Sequence, residues 1–233
     1  MRDQYAGDVS DYLKYAFLRA MVEPGTSLGM AWYYLSGHDG RADGRHEEYL
    51  TNPLWAALDP DLFRALKSRT GRSVGELEGM EFWPAGTSFH RESVPVARAR
   101  VPWAEAMIAS LQDVDAVFAD PDNGVSREGV VSRKSATISE IRALAADGRT
   151  LYLIRFPHRQ ASHDDQLRSY HEVFGDFRPA TLRTCVRVLN RNGSSSPRIR
   201  WFSVLNGDAT SRERLARFSA RVSAIPGAKA ELA

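Results

Sequence analysis

The feature that most constrains the fold is an alternation of short apolar runs with segments of helical period. Five runs are rich in aromatic and β-branched residues, which is typical of buried strands. They lie at residues 28–35, 115–120, 150–156, 182–189 and 199–205, with a weaker candidate at 81–84. Because the runs are nearly continuous rather than alternating in polarity, they indicate strands covered on both faces, as central parallel strands are.

Segments with an apolar residue every three or four positions lie between these runs. They cover residues 9–22, 60–68, 103–111, 139–146, 161–174 and 211–222. Strands that alternate with helices predict an α/β fold with a mainly parallel sheet and helices on both faces. The turn-rich loop at 190–197 predicts that the last two strands form an antiparallel pair. Since no repeat or linker divides the chain, we expect one domain over residues 1–233.

Composition excludes several classes of protein. With 43% hydrophobic and 26% charged residues, the chain is typical of globular rather than disordered proteins. Its longest apolar run, residues 30–35, is far shorter than the ~20 residues of a membrane-spanning helix. The polar start lacks an apolar signal core, and the single Cys185 can form neither an internal disulfide nor a thiolate zinc site. We expect a soluble cytoplasmic protein with no membrane partner; the oligomeric state is not determined by the sequence.

Positive charge is concentrated towards the end of the chain. Residues 178–221 contain ten arginines and only two acidic residues, Asp208 and Glu213. One interpretation is the general preference of this chain for arginine, which far outnumbers lysine. The other is a cationic face for phosphate groups, because a guanidinium binds phosphate through a planar pair of donors. The second interpretation predicts nucleic acid as a partner of this arginine-rich segment.

Polar segments that follow the apolar runs are candidate sites, because ligands of open α/β sheets bind beyond the carboxyl ends of the strands. The first, residues 36–46, contains Gly37, Gly40 and Gly44, which permit tight turns and a close approach of backbone to a ligand. It does not match the GxGxxG pattern of dinucleotide sites. An exposed glycine-rich turn explains the segment equally well.

Two later segments carry ionisable side chains. After the run at 115–120, Asp120, Asp122 and Asn123 can bind Mg²⁺ or accept hydrogen bonds from a substrate amine. The alternative is an ordinary turn, which these residue types also favour, although an acid that ends a buried strand is costly unless it is paired. After the run at 150–156, His158 is either a functional residue or a surface residue.

The first helical segment begins with a group of charged residues. Asp8, Asp11 and Lys14 are spaced so that they line the start of one helix. If Lys14 points outward, it is a solvated lysine. If it points inward it must be paired, with Asp8, Asp11 or Asp120 as the expected partner.

Several motifs together resemble one family. Residues 5–21, YAGDVSDYLKYAFLRAM, are similar to the opening of the large-subunit ribosomal RNA adenine methyltransferases that modify the exocyclic amine, roughly HAGNHADVLKH. Residues 28–44 resemble that family's first strand and cofactor loop, and residues 82–89 resemble its YYPGSP element. VFADPDNG at 117–124 stands in the place of its catalytic DPPY, with Asp122 and Asn123 where the family has its catalytic aromatic residue.

The resemblance implies a Rossmann-like, methyltransferase-type fold with S-adenosylmethionine as methyl donor. It implies donor contacts from the segments after the first strand and near the YYPGSP-like element, namely Gly37, His38, Asp39, Gly40, Arg41, Thr87 and Ser88. The candidate catalytic residues are Lys14, Asp120, Asp122, Asn123 and His158. In this reading Asp120 accepts hydrogen bonds from a substrate amine.

Three hypotheses about function follow from these residues. The leading one is a methyltransferase-like enzyme that transfers a methyl group from S-adenosylmethionine to an amine or a nucleic-acid-related acceptor. The second is a phosphodiesterase or nuclease in which Asp39, Asp120 and Asp122 bind Mg²⁺ or Mn²⁺, with a base or further ligand from His38, His46 or His158. The third is a non-catalytic binding module that keeps a methyltransferase fold.

Overall fold

The computed structural model shows a mixed α/β protein and describes residues 1–37, 40, 46–127, 129–189 and 194–233. Within these residues the helices are α1 (Val9–Met21), α2 (Pro60–Ser68), α3 (Val74–Glu78), α4 (Arg100–Ser110), α5 (Ile138–Leu144), α6 (His163–Val173) and α7 (Ser211–Ser223). The strands are β1 (Leu28–Trp32), β2 (Ser88–His90), β3 (Ala116–Asp120), β4 (Thr150–Arg155), β5 (Ala180–Leu189), β6 (Ser195–Leu205) and β7 (Ala228–Leu232). Among the described residues, no helix combines the length and apolarity needed to cross a membrane.

All seven strands belong to one sheet in the order β2-β1-β3-β4-β6-β5-β7. The first four strands of this order, β2, β1, β3 and β4, pair in parallel. Strand β6 is antiparallel to both β4 and β5, and β7 is antiparallel to β5. The antiparallel pair of β5 and β6 agrees with the sequence prediction. The sheet as a whole is mixed rather than mainly parallel, because β6 lies between β4 and β5 and the unpredicted β7 extends the antiparallel half.

The weak strand candidate at residues 81–84 is wrong. These residues form a turn, and the strand at this edge of the sheet is β2, a few residues later. The aromatic rings of Phe82 and Trp83 instead pack on Tyr15 of α1, with centroids 5.3 and 4.8 Å from its ring. Their apolar character therefore reflects packing against α1 and not strand pairing.

Alternate residues of the central strands belong to two separate buried clusters. Phe118 of β3 shares one cluster with residues of α1, α2, α3 and α7. Its neighbour Val117 belongs to the other cluster, with residues of α4, α5 and α6. Helix α1 is buried along nearly its whole length, and its Phe17 ring stacks on Phe202 of β6 at 4.8 Å. This burial also encloses the polar residues at the start of α1.

Candidate active site at the carboxyl ends of the strands

The site lies where the strand order reverses. From β1 the chain proceeds to β2 on one side, and it then returns to β3 on the other side of β1. In open α/β sheets the crevice at such a reversal is the usual place for a ligand. Asp120 ends β3 directly opposite Trp32, the last residue of β1. Its carboxylate therefore lies at this crevice.

Lys14 connects α1 to Asp120. The Lys14 Nζ atom lies 2.5 Å from Asp11 Oδ1 and 2.7 Å from Asp120 Oδ2. All three residues are at most 3% exposed. The expectation that an inward Lys14 pairs with buried carboxylates is confirmed for Asp11 and Asp120. The second oxygen of Asp11 accepts a hydrogen bond from Gly7 N at 2.8 Å, whereas Oδ1 of Asp120 has no hydrogen bond to any described residue.

Helix capping places these side chains. Asp8 precedes α1, and its Oδ1 accepts hydrogen bonds from the amides of Ser10 and Asp11 at 2.8 and 3.1 Å. Such a cap satisfies amides that have no partner within the helix. Because α1 begins at this cap, Asp11 lies in its first turn and Lys14 one turn later, and both point towards the end of β3.

Burial and charge act in opposite directions on this cluster. Burial alone would lower the pKa of Lys14, but Asp11 and Asp120 raise it above its ordinary value. Burial raises the pKa of Asp11 to about 6, against the opposing effect of Lys14. Burial likewise raises the pKa of Asp8, and Arg200 opposes that shift. The lysine is therefore held in its charged form, whereas Asp11 gains or loses a proton at mildly acidic pH.

A cavity of about 230 Å³ opens beside this cluster. Its lining includes four carboxylates, four lysine and arginine side chains, an amide and the ring of a phenylalanine: Asp8, Asp11, Asp120, Asp122, Lys14, Lys134, Arg198, Arg200, Asn123 and Phe156. We call it the Asp120 cavity. Acids from α1 and the β3 exit thus face cations from β6, an arrangement suited to a polar ligand that carries both an amine and an anionic group.

The basic and aromatic wall of this cavity was not predicted as part of the site. Arg200 donates to Ser10 Oγ through Nη2 at 2.8 Å and lies 4.5 Å over the ring of Phe156. Burial lowers the pKa of Arg200 to about 10, although Asp8 opposes that effect. Arg198 contacts His46. Two arginines two residues apart lie on one face of a strand, and this alternation in β6 was the available sequence signal.

Polar groups after β1 hold the first residue of the chain. The Met1 ammonium lies 2.6 Å from Asp122 Oδ1 and donates to the carbonyl of Tyr33 at 2.8 Å. The amide of Leu35 donates to the carbonyl of Met1 at 2.9 Å. The exit of β1 and the segment after β3 are thus adjacent, and together they bind an α-amino group and its carbonyl.

The structure separates the residues implied as donor contacts. Gly37 and Gly40 follow β1, with left-handed φ angles of 83° and 76°. His38, Asp39 and Arg41 lie outside the described residues. Thr87 and Ser88 do not line the Asp120 cavity. They lie at the amino end of β2, whereas the cavity lies at the carboxyl ends of the strands. The strand begins at Ser88 and not at residue 81, so Thr87 precedes it and Ser88 is its first residue.

The remaining candidates divide between the Asp120 cavity and its surroundings. Asp122 and Asn123 line the cavity. His158 is exposed, accepts a hydrogen bond from Gln160 N at 3.2 Å, and lines a neighbouring cavity instead. The placement of His158 after β4 carries it away from Asp120.

The metal hypothesis is not favoured. Within the described part of the chain, no group of three or more His, Cys, Asp or Glu side chains is arranged to hold a metal ion. Asp120 and Asp122 each face a cation of the protein itself, the ammonium groups of Lys14 and Met1. Asp39, the third candidate ligand, lies outside the described residues. No observation favours the non-catalytic hypothesis either.

Comparison with known proteins shows a shared fold. No protein-family model and no curated protein matches the chain. Among solved structures it is similar to protein LPL1258 of Legionella pneumophila str. Philadelphia 1, family DUF519, with 13% identity over 98% of this chain and 97% of that chain, at a TM-score of 0.54. The precorrin-6y C5,15-methyltransferase of Geobacter metallireducens GS-15 matches over 83% of this chain and 86% of its own, with 10% identity and a TM-score of 0.33, too low to support a conclusion.

Proposed function

We propose that the chain is an S-adenosylmethionine-dependent methyltransferase that modifies an amine of a nucleic-acid-related acceptor. The observation that carries the proposal is the position of Asp120, at the end of β3 where the strand order reverses. The resemblance of residues 5–21 and 117–124 to the adenine methyltransferases supports it. The proposed fold is correspondingly the methyltransferase type of the Rossmann-like class, with helices on both faces of the sheet.

In this proposal Asp120 orients the acceptor. Its Oδ2 is held by Lys14, while Oδ1 is available to accept a hydrogen bond from an amine in the cavity. Such a bond directs the nitrogen lone pair, and correct orientation of two reactants supplies much of the rate of a transfer reaction. Lys14 is a positioning residue, because its ion pair with Oδ2 fixes the carboxyl group of Asp120.

The groups around Met1 fit the amino-acid end of the donor. The carboxylate of Asp122, the carbonyl of Tyr33 and the amide of Leu35 hold an α-ammonium and a carbonyl oxygen. S-adenosylmethionine carries the same α-amino acid groups, and when bound it supplies a methyl group activated by a sulfonium. Because Met1 uses these contacts, we expect it to leave them when the donor binds.

The opposite wall fits a nucleotide as acceptor. Lys134, Arg198 and Arg200 can neutralise phosphate, and the ring of Phe156 offers a surface on which a base can stack. Enzymes that modify a base must take it out of its stack and hold it in a pocket. Phe156 would therefore replace the aromatic residue that the DPDN sequence lacks.

Two measurements test the proposal. Calorimetric titration with S-adenosylmethionine should detect binding, and methyl-labelled donor should label adenine-containing RNA or DNA oligonucleotides. Asp120→Ala should lower the transfer rate by about a hundredfold or more, with donor affinity nearly unchanged. The matched control is Asp115→Ala, which removes a carboxylate just before the other end of β3 and should leave transfer unchanged. No donor binding at millimolar concentration would overturn the proposal.

A further inference from the structure

A second cavity lies next to the Asp120 cavity. Its volume is about 500 Å³, within the usual range of small-molecule sites. It opens beyond the carboxyl end of β4, and Asn123 and Phe156 line both cavities. At its wall lies Arg155, the last residue of β4, and we therefore call it the Arg155 cavity.

Arg155 is a partly enclosed cation with no anionic partner among the described residues. Its guanidinium lies 3.8 Å from the ring centroid of Tyr170 and 5.3 Å from that of Trp201. Within the part of the chain that the structure describes, the buried Nη1 atom has no hydrogen-bond partner and no carboxylate lies within ion-pair distance. Burial lowers the pKa of Arg155 to about 10. A buried charge without a partner is unfavourable.

Arg100, a buried arginine, has the carboxylate partner that the half-buried Arg155 lacks among the described residues. Arg100 binds Glu140 with two hydrogen bonds, from Nε at 2.6 Å and from Nη2 at 2.8 Å. Arg100 also stacks on aromatic rings, those of Tyr33 and Trp103. Arg100 thus combines its aromatic contacts with a carboxylate partner. Arg155 has aromatic contacts and no carboxylate partner among the described residues, and it lies next to a cavity.

The rest of the wall suits a ligand with an anionic group and an apolar body. The buried Ser126 Oγ has no hydrogen-bond partner among the described residues, and the exposed Arg127 and His158 add donors. Asp165 is the one carboxylate that lines the cavity among the described residues, and it already accepts hydrogen bonds from Ser162 and Arg168. The apolar part of the wall includes Val125, Ile138, Tyr170, Val173 and Phe174.

We propose that the Arg155 cavity binds the phosphate group of a nucleotide, with Arg155 as the residue that holds the anion. A guanidinium presents paired donors that match phosphate oxygens, and the apolar wall can cover the base or sugar. A free nucleotide and a nucleotide within a nucleic acid chain share this chemistry. The site does not depend on methyl transfer, although a phosphate here would adjoin an acceptor amine at Asp120.

Calorimetry without any methyl donor tests the site. The probes are AMP, adenosine, inorganic phosphate and a six-nucleotide oligoadenylate. We expect the wild-type protein to bind AMP at least about tenfold more tightly than adenosine, and Arg155→Met to abolish that preference. The matched control Arg217→Met removes an exposed arginine of α7 and should retain it. Oligoadenylate binding well above that of AMP identifies a nucleic acid chain as the source, whereas equal binding identifies a free nucleotide.

Melting temperature distinguishes a ligand site from a structural role. Methionine keeps much of the packing on Tyr170 and Trp201 and removes an unpaired buried charge, so the ligand-free Arg155→Met protein should melt no lower than wild type. Ala161→Trp narrows the exposed rim of the cavity without altering Arg155, and it should also weaken AMP binding. Equal binding of AMP and adenosine, AMP preference in Arg155→Met, or a lowered melting temperature in that variant would overturn the proposal. None of these results depends on whether Asp120 supports methyl transfer.

Discussion

At the scale of single residues, Lys14 supplies the positive charge that stabilises the buried carboxyl groups of Asp11 and Asp120. We expect Lys14→Met to lower the free energy of unfolding by roughly 3–5 kcal/mol, because Asp11 and Asp120 would remain buried without their cation. Urea unfolding followed by circular dichroism measures this change. Lys67→Met, at an exposed position of α2, should change stability by less than about 0.5 kcal/mol. A loss below about 1 kcal/mol for Lys14→Met would mean that water or protonation compensates the two acids.

Asp11 gives the cluster a pH dependence of definite sign. Its pKa is raised from 3.8 to about 6 by burial. Between these values the folded protein keeps a proton that the unfolded chain has released, so stability falls as the pH rises towards 6. This contribution, roughly 2 kcal/mol, should be absent in Asp11→Asn.

Urea unfolding near pH 4 and near pH 7 measures the effect. The loss of stability between the two pH values should be smaller in Asp11→Asn than in wild type. Asp113→Asn, which replaces an exposed carboxylate, should follow the wild-type profile. If Asp11→Asn also follows it, Asp11 does not hold the proton.

At the scale of elements, the sequence was most informative for elements whose own apolar pattern shows which face is buried. The apolar period of residues 9–22 predicts α1, and Asp8 is its cap, as a residue of this type before a helix suggests. The sequence left the direction of Lys14 open, but the cost of burying an unpaired cation predicted that an inward Lys14 would pair with a carboxylate, as it does. Pairing with Asp120 joins residues 106 positions apart, and only a physical argument about charge connects them in the sequence.

Elements whose character depends on distant neighbours were not predicted. Strand β7 (Ala228–Leu232) is mostly exposed at the sheet edge, so its sequence lacks the apolar run of a buried strand. Strand β2 has only three residues. The displacement of this strand from 81–84 to 88–90 moved Thr87 and Ser88 to the wrong end of the sheet for donor binding. A small error in one strand thus changed the expected composition of the site.

The same limit explains why the basic wall of the Asp120 cavity was missed. Arg198 and Arg200 belong to β6, which lies beside β4 and not at the edge where chain order would place it. The prediction of an antiparallel final pair was confirmed, but it does not specify which member lies next to β4. Only that choice brings the arginines of β6 to the start of α1, where Arg200 meets Ser10.

At the scale of the whole molecule, the site lies between the two halves of the sheet. The parallel half and α1 contribute Asp11, Asp120 and Asp122, and the antiparallel half contributes Arg198 and Arg200. A ligand in this position contacts an acidic surface on one side and a basic surface on the other. An acceptor with an amine at one end and phosphate at the other has the matching distribution of charge.

Four arginines of the arginine-rich segment have two different kinds of surroundings in the structure. Arg183 pairs with Asp164 and Glu231, and Arg214 pairs with Glu23 and Asp208. These residues hold parts of the protein together. Arg198 and Arg200 instead line the Asp120 cavity. A nucleic acid partner stays a prediction, and we expect its contacts at the arginines of β6 that line the Asp120 cavity.

Salt-dependent binding tests that narrower prediction. Arg198→Gln should weaken binding of a single-stranded oligonucleotide by about tenfold at low salt, and it should reduce the slope of log affinity against log salt by about one, because one phosphate contact is lost. Fluorescence anisotropy over a series of salt concentrations measures both quantities. Arg217→Gln removes the same charge from α7, where Arg217 is exposed and far less enclosed by other groups, and should leave the slope unchanged. Equal effects of the two substitutions would mean that net charge, and not the β6 wall, attracts the nucleic acid, because a general electrostatic attraction does not distinguish where on the surface a charge lies.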